Sequence, residues 1–245
     1  MALVDDLRST LGSDRVRSHP LELIVYDKDA GVTRGEVLAA ALPETTQEVA
    51  ACVRIAAAHG VPVVARGAGT GLAGGSVPAE PALLIVLTRL NQIWEVDEVA
   101  RTAWVGAGVL NLDLSRATEH LGLHYAPDPS SQAACTVGGN VATNAGGPHC
   151  LAEGTTVAHI LGVEFVTSDG DVVLLGGKAP DPPGLDLRAV VVGSEGTLGV
   201  VTKVLVKLTE NPPAVRTLLL TFDSIQAAAA TVSGVIAAGI VPAAL

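Results

Sequence analysis

Apolar residues along the chain fall into short alternating or continuous runs, broken by glycine and proline, with few long helical stripes. "VPVVA" (61–65) and "LLIVL" (83–87) read as short buried strands because they are β-branched and apolar. "IWEVD" and "TAWVGAG" alternate on either side of Glu98–Arg101, which predicts a hairpin. "GVEFVTSDGDVVLL" (162–175) predicts a second hairpin around Asp169-Gly170, and "LGVVTKVLVKL" (198–208) a further strand. Helical spacing is clearest in "PETTQEVAACVRIAAAHG" (43–60). There Thr45 and Glu48 match a capping box, Val49, Cys52, Val53 and Ala56 share a face, and Gly60 ends the helix. "LNLDLSRATEHLG" (110–122) repeats the pattern through Leu110, Leu114 and Ala117. After Asn211-Pro212-Pro213, "VRTLLLTFDS" predicts a strand, "SIQAAAATVSGVIAAG" a helix capped by Ser224, and "IVPAAL" the start of another strand. The paired prolines mark a boundary, giving an expected domain over 1–212 and the beginning of a second over 213–245.

Glycine is concentrated where strands end. "VVARGAGTGLAGGSVP" (63–78) holds five glycines between Gly67 and Gly75, and it satisfies the spacing Gly69-x-Gly71-x-x-Gly74. A dinucleotide-binding turn of that spacing needs a strand before it and a helix opening on it. Pro78 and Pro81 leave no room for the helix before the next strand. The remaining reading is a strand–glycine loop–strand unit whose successive N–H groups form an anion-binding concavity, with a purely structural tight loop as the alternative. "APDPSSQAACTVGGNVATNAGG" (126–147) is a second dense segment, and "VVGSEGTLGVVT" (191–202) a third. Three such loops bordering strands suggest one long ligand touched at several points.

The 245 residues are 49% hydrophobic and 16% charged, so a sizeable core is available, built of Ala, Val and Leu because aromatics are nearly absent. A formal net charge of -10 argues against nucleic acid or an anionic membrane as the main partner. It also means that a bound phosphate must be held by backbone dipoles against the field of the whole chain. Cys52, Cys135 and Cys150 show no C-x-x-C spacing and read as buried thiols in a reducing compartment. The first ten residues carry two acids and no apolar core, so they do not read as a signal peptide. The apolar window 227–245 is cut by Pro242 and diluted by Thr231, Ser233, Gly234 and Gly239, so no membrane span is expected. A cytoplasmic location follows as the expectation.

Taken together, "YDKDA", "VPVVARGAGTGLAGGSVP", "YAPDPSSQAACTVGGNVATNAGGPHC" and "VVGSEGTLGVVTKVLVKLTENPP" resemble the FAD-linked oxidases of the vanillyl-alcohol oxidase type. Within that family they are most similar to the group of glycolate oxidase flavin subunits and D-lactate dehydrogenases. The resemblance covers almost the whole chain. It implies an α+β, two-subdomain FAD-binding fold, followed by the start of a ferredoxin-like cap domain. It implies a pyrophosphate loop at Arg66, Gly67, Ala68, Gly69, Thr70 and Gly71, with Gly74, Gly75 and Ser76 lining the flavin side. Pro127, Asp128 and Ser130, with Thr136, Gly138, Gly139, Asn140 and Thr143, would border the isoalloxazine and the diphosphate. Gly146 and Gly147 would continue that wall, and Glu195, Gly196 and Val200 would sit near ribose and adenine. Members with covalent flavin carry a histidine in the pyrophosphate loop; this loop has none, so non-covalent FAD is expected.

The function so implied is oxidation of a small 2-hydroxy acid, of the glycolate or D-lactate type, by hydride transfer to flavin N5. The catalytic residues stay unassigned, because the family's substrate-binding histidines and arginine lie in cap and C-terminal segments. Such a chain is expected to be inactive alone, with partner subunits for electron transfer as an added expectation. The alternative is a non-catalytic FAD-binding subunit that completes its site with a partner chain. His149, in "GGPHC", is a candidate base beside the flavin or a loop histidine bonded to backbone, while His120 and His124 read as structural. No histidine spacing supports a metal.

Overall fold

In the computed structural model, which describes residues 2–179 and 184–244, two main sheets of different kind lie in succession along the chain, with a small two-stranded sheet beside the second. The first part holds α1 (Ala2–Leu11), β1 (Val16–Arg17), α2 (Pro20–Leu23), β2 (Val37–Ala41), α3 (Thr46–Ala58), β3 (Val63–Arg66) and β4 (Ala82–Val86). Its sheet has the order β1-β2-β4-β3, with β4 parallel to both neighbours and β1 antiparallel at the edge. Parallel neighbours need a crossover, usually a helix. α3 makes the crossover from β2 to β3, but from β3 to β4 the glycine-rich loop makes it, as the two prolines demand.

α3 forms where expected. Thr45 Oγ1 accepts from the Glu48 N–H at 3.1 Å, and Val49, Cys52, Val53 and Ala56 are buried against β4 and its neighbours. The reciprocal half of the capping box is displaced by one residue: the Glu48 carboxylate takes the N–H of Glu44 (2.7 Å) and an ion pair from Arg15 (2.7 Å). Burial pushes the Cys52 thiol up to about 12, with Glu48 adding to the effect.

The second part holds β5 (Ile93–Asp97), β6 (Thr102–Gly106), α4 (Asn111–Thr118), β7 (Leu123–His124), α5 (Val137–Thr143), α6 (Cys150–Glu153), β8 (Ile160–Val166), β9 (Val172–Gly176), α7 (Leu187–Val191), β10 (Val200–Lys207) and β11 (Thr209–Glu210). Its main sheet is antiparallel throughout, in the order β5-β6-β10-β8-β9, and both expected hairpins are present. In α4 the buried face is Asn111, Leu114 and Thr118, and Ala117 of the expected stripe is exposed. Two polar residues can face the core because each is satisfied there. Asn111 Nδ2 donates to Pro127 O (2.7 Å) and Asn140 Oδ1 (2.9 Å), and Thr118 Oγ1 donates to Leu123 O (3.0 Å).

Each sheet has its own core, and Glu164 on β8 ties them together. Its carboxylate accepts from Thr46 Oγ1 at the start of α3 (2.5 Å), from Thr202 Oγ1 (3.1 Å) and from Lys203 Nζ (3.1 Å). Beyond β11 the expected helix exists as α8 (Ile225–Ala237), with Ser224 as its cap, but none of its residues is buried. Among the described residues the strand expected in 215–224 is absent, as is the one expected from Ile240. Leu218 and Leu219 are 81% and 92% exposed, and an apolar run stays irregular when no neighbouring strand offers it a ladder.

Candidate functional site

Three glycine-rich segments, far apart in sequence, meet at one cleft. The first contributes 65–73 with Gly75 and Ser76, the second Pro129, Ser131, Cys135, Thr136 and parts of α5, and the third Ser194, Glu195, Gly196 and Gly199. The cleft is open along one side and draws its lining from all three segments.

The first loop leaves β3 with its backbone unspent. None of the N–H groups from Gly67 to Gly71 donates to an acceptor among the described residues. The loop is held by its carbonyls and from behind. Ala30 N–H donates to Gly71 O (3.0 Å), and Arg66 Nη2 to Lys28 O (2.8 Å). The buried Asp29 carboxylate accepts from the Gly31 N–H (2.7 Å) and the Gly74 N–H (2.9 Å).

The glycines differ in what requires them. Gly69 has φ +70°, and a Cβ there would run into the Arg66 guanidinium. At Gly67 a Cβ would meet Thr136 Oγ1 of the second segment, so the two segments press on each other. Gly71 has no such neighbour: the nearest atom to a Cβ would be Asp29 Oδ2 at 4.0 Å. Protein packing therefore explains Gly67 and Gly69 and leaves Gly71 to whatever enters the cleft.

The second segment is not a loop throughout, since it opens a helix. Thr136 caps α5 through its hydroxyl, which accepts from the Gly139 N–H (3.3 Å). Val137 N–H donates to Val109 O (2.9 Å) and Gly138 N–H to Ala107 O (2.8 Å), so the first donors of the helix are spent on β6 and its continuation. Gly138 is required because a Cβ would lie 2.6 Å from Ala107 Cβ. The buried Asn111–Asn140 pair anchors the preceding stretch by holding Pro127 O, and Asn140 Nδ2 also donates to Cys135 Sγ (3.3 Å).

Among the expected site residues, Arg66, Gly67, Ala68, Gly69, Thr70, Gly71, Gly75, Ser76, Thr136, Gly138, Gly139, Asn140, Thr143, Glu195 and Gly196 line this one cleft. The others do not. Gly74 faces an adjoining hollow beside Thr33 and Gly35, and Pro127 is buried behind the wall. Asp128 Oδ2 bonds His149 Nδ1 at 2.5 Å, which gives that histidine a carboxylate partner rather than a backbone one. Ser130 is exposed, while its neighbours Pro129 and Ser131 line the cleft. Gly146 and Gly147 pack against Cys150 Sγ and the Asp128 backbone. Val200 points into the first core and Val201 lines the cleft, the alternation a strand imposes. Asp29, Ala107 and Cys135 line the cleft without having been assigned a role; Asp29 lies in "YDKDA", which already pointed to it.

A family model described as an FAD binding domain matches residues 37–176, more than half of the chain, and covers the first two glycine-rich segments but not the third. The chain belongs to that family. It is similar to the glycolate oxidase subunit GlcD of Escherichia coli K12, 48% identical over 90% of this chain and 44% of the relative. It is also similar to a D-lactate dehydrogenase of Anaerostipes hadrus, 37% identical over 86% of this chain and 43% of the relative. The chain thus spans less than half the length of these curated relatives. A solved alkyldihydroxyacetonephosphate synthase shares the fold with a TM-score of 0.86, at 21% identity, over 99% of this chain and 46% of that one.

FAD is the cofactor of this family, and the residues fit it. The cleft runs along all three segments, Gly71 has open space beside it among the described residues, and a run of unspent N–H groups matches an anionic linker. No helix among the described residues is long and apolar enough to cross a membrane.

Proposed function

We propose that this chain is the FAD-binding portion of a flavin-dependent oxidoreductase acting on a small 2-hydroxy acid of the glycolate or D-lactate type. The observation that carries the reading is the run of backbone donors from Gly67 to Gly71, unspent on the protein and lining the cleft. In a chain of net charge -10, five oriented amides are a means of holding a diphosphate. The second segment forms the wall beside the flavin ring, and Glu195 and Gly196 the end that takes ribose and adenine. Ala68 and Thr70 stand in the loop with no histidine, so the flavin is bound non-covalently.

When bound, FAD supplies a two-electron acceptor for hydride. The chain's part is to bind and orient it, with Asp29 and Arg66 fixing the loop and the Asn111–Asn140 pair fixing the opposite wall. Residues 1–212 form the FAD domain, and 213–245 belong to the beginning of a cap domain. The groups that hold the substrate carboxylate lie outside these residues, in keeping with relatives more than twice as long. A cytoplasmic location and partner subunits that carry electrons onward complete the reading.

Acid precipitation tests the mode of binding: all flavin should leave with the supernatant, and flavin retained in the pellet would refute non-covalent attachment. Anaerobic mixing of the yellow protein with glycolate or D-lactate tests the division of labour. Flavin absorbance should persist, because a donor not held with its α-carbon near the acceptor loses orders of magnitude in rate. Rapid bleaching by this chain alone would place the substrate groups within it.

A further inference from the structure

Three charged side chains line the cleft, Asp29, Arg66 and Glu195, and Arg66 is the one cation among them. It is 6% exposed. Its partners are neutral: Nη2 donates to Lys28 O at 2.8 Å, Nη1 donates at 3.4 Å to both the carbonyl and the hydroxyl of Ser76, and the Tyr26 ring centroid lies 6.0 Å away. No carboxylate among the described residues is in ion-pair contact with it. The nearby Asp29 spends its two oxygens on the N–H groups of Gly31 and Gly74. Burial holds Arg66 below its ordinary pKa, with Asp29, Tyr26 and Asp27 opposing that shift.

A buried cation without a contacting counter-ion is expensive unless something supplies the opposite charge. A Cβ on Gly69 would strike the guanidinium, so the cation lies directly against the Gly67–Gly71 loop. That loop carries the unspent N–H groups.

We propose that Arg66 is the built-in counter-charge for an anionic group, the diphosphate of FAD, seated on the Gly67–Gly71 backbone. It acts on that group from beside the loop as a positioning residue, with Nη2 committed to Lys28 O and Nη1 facing Ser76. This inference rests on the FAD reading above, and it adds a selectivity. Affinity gained from Arg66 should apply to ligands carrying the diphosphate and be absent for the uncharged riboflavin.

The test uses the flavin-free chain, with FAD, riboflavin and inorganic pyrophosphate as separate probes in titration calorimetry. Arg66→Met should weaken FAD and pyrophosphate by roughly 10- to 100-fold, leave riboflavin within about twofold, and keep the wild-type far-UV spectrum. Arg66→Lys, which keeps the charge and loses the fork, should retain FAD binding within about tenfold. Equal weakening of FAD and riboflavin, or no weakening of either, would overturn the proposal. Should Arg66→Met fail to fold, Arg66→Lys and the wild type decide. FAD binding lost in the lysine variant, or pyrophosphate that does not compete with FAD on the wild type, would count against it. A wild-type chain that binds pyrophosphate and not FAD would refute the cofactor reading while leaving the counter-charge role intact.

Discussion

The loop 67–75 and the segment 136–147 are both rich in glycine, yet their backbone donors are used in opposite ways. In the second, the first N–H groups of α5 are consumed by Val109, Ala107 and Thr136, and Gly138, Gly146 and Gly147 exist because neighbouring protein atoms occupy the space of a side chain. In the first, five successive N–H groups have no acceptor among the described residues, and Gly71 has open space beside it. Glycine density alone therefore does not mark a ligand contact. The distinction is whether the donors and the vacated volume are already spoken for.

The strongest attempt to break this contrast is Gly138→Val. Its side chain must displace Ala107 at the end of β6, and stability should fall by roughly 3 kcal/mol, with FAD binding lost only as the fold is lost. Thermal melting with and without FAD checks it, and a well-folded variant with selectively poor binding would reverse the assignment of that glycine. Next is Gly69→Val, which combines an unfavourable φ of +70° with a collision against Arg66. It should cost about 2 kcal/mol and weaken FAD as well, because it disturbs the loop and its buried cation together. Wild-type affinity in that variant would make the loop structural only. Gly71→Ala sharpens the comparison from the other side. Stability should stay within about 0.5 kcal/mol of wild type while FAD affinity drops roughly tenfold. A stability loss without an affinity loss would put Gly71 in the same class as Gly138.

The smallest effect concerns the support of the second segment. His159 is 3% exposed, bonds Glu153 O through Nε2 at 2.8 Å, and has a buried Nδ1 with no partner. Burial lowers its pKa, with the Glu153 carbonyl opposing. The unfolded chain therefore takes up a proton at a higher pH than the folded one. The resulting contribution to stability is constant above the ordinary histidine pKa and declines as pH falls below it. Melting temperature followed from pH 7.5 down to 5, in wild type and His159→Gln, should show an acid-side decline that the variant lacks; parallel curves would remove His159 as its source.

Much of this was legible in the chain. Both hairpins, the capped helix after Thr45, and the absence of a helix between Gly75 and Ala82 follow from local chemistry that the tertiary structure leaves alone. Two kinds of feature were not legible. The helix opening at Val137 is hidden by Gly138 and Gly139, poor helix formers, and Gly138 is required because Ala107, next after β6, leaves no room for a side chain. The strand expected in 215–224 has the right composition but no strand neighbour among the described residues, and pairing is not a local property. At the site, residue type identified the segments and strand or turn geometry decided between neighbours: Val201 rather than Val200, and Ser131 rather than Ser130. The roles of Asp29 and Arg66 depend on bonds to distant backbone groups, at Gly74 and Lys28, which no spacing rule reports.

The central claim is that FAD lies on the unspent backbone of the first loop. Nitrogen-15 glycine labelling of the chain, with amide spectra recorded on addition of FAD and then of pyrophosphate alone, tests it most directly. The amides of Gly67, Gly69 and Gly71 should move with both ligands, while those of Gly146 and Gly147, packed against protein, move little with pyrophosphate. Binding that leaves the three loop amides unchanged and shifts other glycines instead would contradict the account.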